Sequence, residues 1–320
     1  MIAAIAIGRN EGERLVHCLD SLLGQAARII YVDSGSTDGS VEMARARGVE
    51  VVELDMTKPF TAARARNAGL DRLRQGAVPD FVQLVDGDCE VRPDWIGKAA
   101  RFLEENPKVA IVCGRRRERF PEASVYNAHC DREWDTPIGE AKACGGDALM
   151  RMTALDEVGG YDPRLIAGEE PEMCVRLRQK GWKIWRLDAE MTLHDAAMTR
   201  FGQFWKRSRR AGHAYAEGAW MHGAPPESHY VQQTKRAVLW GLALPLAILV
   251  LALIVSPWCL LLLAIYLVQI ARLARRGGGS KAAWEEATLL TLSKFAEAMG
   301  VVEFHLRRLT GKRGKLIEYK

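Results

Sequence analysis

The sequence is short of paired cysteines. Its seven (Cys18, Cys89, Cys113, Cys130, Cys144, Cys174 and Cys259) form no C-x-x-C pair and no metal-ligand spacing. An odd, scattered set excludes a disulfide frame and reads as reduced thiols in a cytosolic compartment. Charge of one sign is scarce too. The formal net charge is only +5 and there is no DNA- or RNA-binding signature, so no nucleic-acid partner is expected. The opening stretch MIAAIAIGRNEGERL lacks a basic leader and is apolar for only a few residues, which makes it a first strand rather than a signal peptide. Apolar residues, in contrast, make up 48% of the chain, and 320 residues allow one large domain with an appendage or two modest ones.

Strand-like and helix-like stretches alternate through the first hundred residues. Residues 2–7 form an apolar run ended by Gly8, and Leu15, Cys18, Leu19 and Leu22 then recur at helical spacing. ARIIYVD (27–33), GVEVVEL (48–54) and FVQLV (81–85) read as further strands, and FTAARARNAGLDRLR (60–74) reads as a helix. A helix also follows the second strand, with Ser36, Thr37 and Asp38 as candidate caps. This alternation predicts right-handed βαβ units and a mainly parallel sheet. Ligands of such sheets sit beyond the carboxyl ends of the strands. That is where GRNEGE, DSGSTDGS and DGD fall. Each cluster alone is an ordinary loop or cap; three on one rim argue for a site.

The stretch FVQLVDGDCEV (81–91) carries the sharpest signal. Its buried-looking strand ends in Asp86 and Asp88, and a desolvated carboxylate without a partner is costly. Two carboxylates around a glycine suit a hard divalent cation, Mn²⁺ or Mg²⁺, shared with substrate phosphates. Such an ion supplies the charge that the aspartates lack.

In order, the stretches IAIGRNEGERL, IIYVDSGSTDGS, ARARNAGL, LVDGDCEV, GGDALMRMTALDEVGGYDPRL and GEEPEMCVRLRQKGW, with the later His194, resemble the family 2 glycosyltransferases. The resemblance covers about residues 2–220 and implies a GT-A fold (Rossmann-like, α/β, a mainly parallel sheet flanked by helices). It also implies an inverting, metal-dependent enzyme that uses a nucleotide-diphosphate sugar. By that likeness Asp33 contacts the nucleotide base, with Asn10, Glu11 and Ser34 lining its pocket. Arg64, Arg66 or Asn67 lies near the nucleotide or its phosphates. Asp86 faces the ribose or a metal-bound water, Asp88 ligates the metal, and His194 approaches the metal or diphosphate. His194 as a plain strand-end residue stays the competing reading. Gly145, Gly146 and Asp147 resemble the strand where donor sugar and acceptor meet; Asp147 binds sugar hydroxyls or merely turns the chain.

Inverting transfer calls for a general base that takes the acceptor's proton. The family's acidic pair reads here as Glu169 and Glu170, followed by Pro171, Arg176 and Gly181. Most relatives have Asp at the second position, so Glu170 is both the expected base and a departure. Glu169 and Glu172 compete with it, and three acids at a helix start also satisfy the helix dipole without any catalysis.

Composition changes after about residue 235. Residues 237–255 carry no charge and are long enough to span roughly 30 Å. A Ser256–Pro257 break precedes a second, shorter apolar run, 258–271. This reads as a transmembrane or re-entrant helical hairpin, with Ser256 capping and Pro257 opening the second helix; a single span plus a buried segment is the alternative. Lys235 and Arg236 before it, and Arg272, Arg275 and Arg276 after it, keep both flanks cytoplasmic. Residues 200–220 interleave basic and aromatic side chains, as in a helix on an anionic membrane surface. Residues 281–313 read as an amphipathic surface helix, with a third span as the rival. QFWKRS departs from the Gln-x-x-Arg-Trp of processive synthases, which implies one sugar per event.

The expected organisation is a catalytic domain over 1–220 (nucleotide-sugar half about 1–115, acceptor half about 116–220), a linker over 221–236, the hairpin over 237–271 and a basic amphipathic tail over 272–320. The expected function is transfer of one sugar to a lipid-linked saccharide or polysaccharide in surface (exopolysaccharide) biosynthesis. Its expected place is the inner, cytoplasmic membrane, in contact with membrane lipids and with the catalytic domain facing the cytoplasm. Two rivals remain: direct transfer to polyprenyl phosphate, and an inactive sugar-binding or scaffold subunit of a membrane assembly.

Overall fold

The first half folds as its apolar spacing requires. In the computed structural model, which describes residues 1–311, β1 (Ile2–Gly8), α1 (Glu13–Leu22), β2 (Arg28–Asp33), α2 (Ser40–Ala46), β3 (Glu50–Glu53), α3 (Ala62–Arg74) and β4 (Phe81–Asp86) follow one another. Then come β5 (Cys89–Val91), α4 (Trp95–Glu105), β6 (Val109–Glu118), α5 (Val125–Glu133), β7 (Gly139–Ala141), β8 (Ala148–Arg151), α6 (Met152–Val158), α7 (Glu169–Gln179) and β9 (Lys183–His194). The chain forms two compact units, Met1–Ala123 with Cys130–Ala197, and Ser124–His129 with Met198 onward. The first unit ends ahead of the expected boundary at 220, because the helix after β9 packs with the C-terminal helices.

The sheet of the first unit runs β3-β2-β1-β4-β8-β6-β9-β5, with β7 on β9. β1 pairs in parallel with β2 and β4, and β2 with β3, as expected from the βαβ pattern. β8 enters antiparallel between β4 and β6, and β5 and β7 lie antiparallel to β9. The sheet is therefore mixed, and mostly parallel by paired residues. Helical spacing decides what lies beneath it: α1 buries Leu15, Cys18, Leu19 and Leu22. α3 starts where Thr61 Oγ1 accepts the Arg64 N–H, and it lies close on β1. A Cβ on Gly69 would stand 2.6 Å from Ile5 Cγ2, so only glycine permits that approach. In the core, Trp95 Nε1–H donates to Gln83 Oε1 at 2.9 Å, which satisfies two polar groups that burial would otherwise penalise.

The second unit is helical among the described residues. It holds α8 (Phe201–His222), α9 (Val231–Val238), a π turn (Leu239–Ala243), α10 (Leu244–Ile254), a 3₁₀ turn (Pro257–Leu263), α11 (Ala264–Arg276) and α12 (Lys281–Leu309). Val231–Ile254 and Pro257–Arg276 are each long and apolar enough to cross a membrane, and most of their surface is exposed. The Ser256 hydroxyl accepts the Trp258 N–H and Pro257 opens the second helix, as the sequence implies. Tyr266 Oη–H donates to the Trp240 carbonyl at 2.6 Å and ties the two helices together. The stretch expected as a 221–236 linker is in part the first turns of this helix.

α12 differs from the expected surface helix. It packs along α8, α9 and α11 and buries ten residues, among them Ala296, Glu297, Gly300 and Phe304. At its crossing with α8, a Cβ on either Gly212 or Gly300 would run into the backbone of the facing helix. Glu297 is buried but answered by Lys294 Nζ at 2.6 Å and Ser293 Oγ at 2.8 Å. The last part of the expected tail, 312–320, lies outside the described residues.

Candidate active site

The rim of the sheet gathers the polar clusters because β1, β2 and β4 all end there. The β2 terminus carries Asp33, which is buried. Its Oδ1 accepts the Tyr31 hydroxyl at 2.9 Å, and its Oδ2 accepts the backbone N–H groups of Gly35 and Ser36, each at 2.9 Å. Burial pushes the Tyr31 hydroxyl well above its ordinary pKa, so it stays a donor to this carboxylate. Asn10 ties the first loop to the second: its Oδ1 accepts Thr37 N–H at 2.7 Å and its N–H donates to Ser36 Oγ at 2.9 Å. Ser34 N–H donates to the Gly8 carbonyl at 3.0 Å. Asp33, Ser36, Thr37, Glu42 and Met56 line a polar cavity of about 330 Å³. Glu11 lies against Gly8 and Gly87 and is paired with Arg14 at 2.8 Å.

At the end of β4, Arg66 is the hub. It comes from α3, is 2% exposed, and meets three carboxylates: Asp86 Oδ1 at 2.8 Å, Glu169 Oε1 at 2.9 Å and Glu170 Oε1 at 2.6 Å. Burial lowers an arginine's pKa, but Glu170 and Asp86 more than reverse that and hold Arg66 charged. Burial pushes the Glu170 carboxyl up to about 7 despite Arg66, with Glu169 and Asp86 adding to the rise. A Cβ on Gly146 would stand 2.6 Å from Arg66 Nη2 and 2.7 Å from Asp86 Oδ2, whereas Gly145 faces open space.

A second set lies behind Asp86. Asp147, fully buried, accepts the Asp86 N–H on Oδ1 at 3.1 Å and the Thr192 hydroxyl on Oδ2 at 2.7 Å. Arg116 Nη2 reaches Asp147 at 2.8 Å and Asp86 at 3.5 Å. Asp147 thus supports Asp86 from beneath rather than presenting oxygens to a sugar. Asp88 and His194 meet alongside: Nε2 of His194 is 3.4 Å from Asp88 Oδ2, and Nδ1 is 3.5 Å from Glu118 Oε2. Trp134 packs edge-on against the His194 ring at 4.8 Å and lies under the Arg116 guanidinium.

Sequence reasoning did not single out Arg116, Glu118, Thr192, Trp134 or Tyr161. Arg116 and Glu118 sit in the run GRRRERF, which reads as a charged strand end. Being two residues apart on a strand, they share one face. The β6–β9 register sets Arg116 beside Thr192 and Glu118 beside His194, which no local pattern reveals. Other expected residues serve the scaffold. Arg64 holds the carbonyls of Asp55, Lys58 and Pro59. Both ends of the Asn67 amide bond the Tyr161 backbone, at 2.7 and 2.9 Å. Glu172 forms a forked pair with Arg176, whose Nη2 also reaches the Gly160 carbonyl at 2.8 Å. That commits Glu172 to the α7 start and leaves Glu170 and Glu169 facing Arg66.

Residues 5–158 match the sequence profile of glycosyl transferase family 2. The succinoglycan biosynthesis protein ExoA of Rhizobium meliloti (strain 1021) is 25% identical over 198 residues, 58% of this chain and 59% of that protein. Glycosyltransferase AglE of Haloferax volcanii is 23% identical over 225 residues, 66% of this chain and 71% of that protein. Glucomannan 4-beta-mannosyltransferase 7 of Arabidopsis thaliana is 28% identical over 120 residues, 34% of this chain, and the match spans only 21% of the plant protein. Among solved structures, mannosyltransferase PcManGT from Pyrobaculum calidifontis, in complex with GDP-Man and Mn²⁺, superposes with a TM-score of 0.64 at 19% identity. It covers 94% of this chain and 86% of that one. Glucosyl-3-phosphoglycerate synthase from Mycobacterium tuberculosis, in complex with Mn²⁺, UDP and glucosyl-3-phosphoglycerate, gives 0.51 at 16% identity, over 70% and 81% of the two chains. These two likenesses concern the fold. Residues 5–158 thus match glycosyl transferase family 2, the fold is GT-A-like, and two apolar helices follow.

Proposed function

We propose that the chain is a membrane-attached, inverting glycosyltransferase that moves one sugar from a nucleotide-diphosphate sugar to a hydroxyl of a lipid-linked saccharide or polysaccharide, in surface polysaccharide biosynthesis. The observation that carries it is the Arg66 hub, which joins Asp86 on the donor-side rim to Glu170 at the start of α7. The cavity beside Asp33 takes the nucleotide base, with Asn10 and Ser34 shaping its loops. The donor set fits a divalent cation, because Asp88 and His194 bring a carboxylate oxygen and an imidazole nitrogen together, with Glu118 fixing the ring from behind. Asp88 and His194, with Asp86 nearby, would hold that ion, Mn²⁺ or Mg²⁺. When bound, it offsets the charge gathering on the departing diphosphate.

The chain's own groups do the rest. Gly146, lacking a Cβ, lets the backbone approach Arg66 and Asp86 closely and so holds the hub in place. Glu170, with a pKa pushed up to about 7 by burial, sits where a general base works best at neutral pH. It takes the proton of the acceptor hydroxyl on Oε2 or Oε1, and Glu169 keeps Arg66 in place beside it. The added methylene of Glu170 relative to Asp is used in reaching Arg66.

Two features support attachment to the inner membrane. The apolar side chains of the hairpin are exposed, Leu253, Ile254 and Trp258 among them, and an exposed apolar surface of that extent needs an apolar surrounding. Its flanks carry Lys235, Arg236, Arg275 and Arg276, which favours a cytoplasmic catalytic domain. The test is to supply the purified full chain with a panel of UDP- and GDP-sugars, Mn²⁺ and a lipid-linked saccharide extract, and to assign the product anomer by NMR. Transfer with inversion supports the reading; retention, or nucleoside diphosphate release without any glycosylated product, contradicts it. Transfer to polyprenyl phosphate alone would favour the simpler acceptor.

A further inference from the structure

Cys89 is out of character for a site of hard oxygen ligands. β5 pairs antiparallel with β9 so that Cys89 stands opposite His194. β6 pairs with β9 so that Glu118 stands opposite the same histidine on its other side. The carboxylate of Asp88, the thiol of Cys89 and the imidazole of His194 thereby bring one donor atom each within 4.8 Å of one another, and all three residues are buried. Cys89 Sγ–H donates to Asp88 Oδ1 at 3.5 Å, and His194 Nε2 stands 3.4 Å from Asp88 Oδ2. Behind the ring, Glu118 Oε2 faces Nδ1 at 3.5 Å while accepting Ala196 N–H at 3.1 Å, and Glu118 Oε1 accepts Phe120 N–H at 3.2 Å. Glu118 is thus fixed by two backbone donors and placed to accept the Nδ1 proton, which leaves the Nε2 lone pair on the side of Asp88.

We propose that Asp88, Cys89 and His194, with Glu118 orienting the histidine, form a mixed oxygen, sulfur and nitrogen donor set that binds Zn²⁺ or Co²⁺ in the place taken by Mn²⁺. This rests on the reading that Asp88 and His194 hold the divalent ion. Thiolate and imidazole suit Zn²⁺ better than Mg²⁺ or Mn²⁺, and Zn²⁺ stands above Mn²⁺ in intrinsic affinity for such donors. Three protein ligands leave a tetrahedral ion one open position. Binding forms a sulfur–metal bond, and the thiol proton leaves to solvent. A neighbouring grouping, Asp86, Cys89 and Asp147, is as tight. There the Arg116 guanidinium already sits against both carboxylates, at 3.5 and 2.8 Å, so a second cation is disfavoured. The consequence is competition: Zn²⁺ displaces Mn²⁺ from this enzyme, and Cys89 is the residue responsible.

The experiment titrates Co²⁺ into the detergent-solubilised full chain and follows the near-ultraviolet thiolate-to-cobalt charge-transfer absorption, with Mn²⁺ binding followed in parallel by EPR. The wild type gains the absorption, Zn²⁺ bleaches it, and Cys89→Ser loses it. Cys144→Ser, which removes one of the two thiols lying 3.8 Å apart elsewhere, keeps it. Cys89→Ser weakens Zn²⁺ at least about tenfold and leaves Mn²⁺ within about twofold. Glu118→Gln weakens both ions by about 10–100-fold, the usual scale for a lost orienting carboxylate. A wild type without the absorption, its survival in Cys89→Ser, or its loss in Cys144→Ser instead, overturns the proposal while Mn²⁺ binding stands. Mn²⁺ binding that Asp88→Asn and His194→Gln leave unchanged overturns the underlying site as well.

Discussion

Arg66 Nη1 lies 2.6 Å from Glu170 Oε1, while its Nη2 lies 2.8 Å from Asp86 Oδ1. One buried guanidinium therefore links the acid at the end of β4 to the acid at the start of α7. These two segments are far apart in sequence and belong to the donor and acceptor sides of the proposed reaction.

Glu170→Gln is expected to lower transfer by about 10²-fold or more, the usual scale for a lost general base, while donor binding stays near normal. Glu170→Asp shortens the reach to the acceptor and keeps more activity than the amide. Steady-state transfer with calorimetric donor binding checks both. Equal transfer by wild type and Glu170→Gln would make Glu170 a helix-start acid only, and the same assay on Glu169→Gln would then be decisive.

The raised Glu170 pKa has a signed pH signature. In kcat/KM, activity rises as pH passes through about 7 and the carboxyl ionises. Stability runs the other way. The native state holds this proton above the ordinary carboxylate range where the unfolded state has released it, so stability falls as pH rises toward about 7. Glu170→Gln removes that penalty, and its gain in Tm should be larger at pH 8 than at pH 5. A gain independent of pH would contradict the raised pKa.

Much of this was legible in the sequence, and the misses share a cause. Periodicity located β1, β2, α3 and β4, because alternating and helical spacings are local. The rim loops followed from chain direction alone. Arg116, Glu118 and Thr192 were not legible, since their meeting depends on the register between β6 and β9 across most of a hundred residues. Asp147 looked like a sugar ligand because its neighbours are glycines, yet β8 enters antiparallel beside β4 and turns it under Asp86. α12 looked like a surface helix because Lys294 and Glu297 break its apolar run; in the fold they pair with each other, and the small residues beside them make a close helix crossing.

That crossing gives a stability prediction. Gly300→Leu places a side chain against the backbone of α8 at Arg209 and His213, and overpacking of this kind costs about 1–3 kcal/mol or more. A Tm lower by several degrees is expected, with Gly97→Ala, which faces open space on α4, as the tolerated comparison. An unchanged Tm for Gly300→Leu would mean that α8 and α12 are not in this contact.

Gly146 tests the close approach of the backbone to the hub. Gly146→Ala pushes a methyl into Arg66 Nη2 and Asp86 Oδ2, so donor binding and transfer should both fall, by about tenfold or more. Gly145→Ala meets nothing and should retain activity. If the two variants behave alike, the reaction does not depend on the close packing of Gly146 on the hub.

Membrane attachment is checked on the whole chain. It should stay with the membrane fraction through high salt and alkaline carbonate and leave only with detergent, since burial of two apolar helices is insensitive to ionic strength. Release by high salt alone would reduce the attachment to the basic face of residues 200–220.

Metal-dependent nucleotide binding is measured most directly by calorimetry of UDP and GDP on the full chain, with and without Mn²⁺, for the wild type and Asp88→Asn. One of the two nucleotides is expected to bind the wild type at least about tenfold tighter when Mn²⁺ is present, and Asp88→Asn to abolish this Mn²⁺ dependence. Nucleotide binding of equal strength with and without Mn²⁺, or an Asp88→Asn protein that responds to the ion as the wild type does, would contradict it.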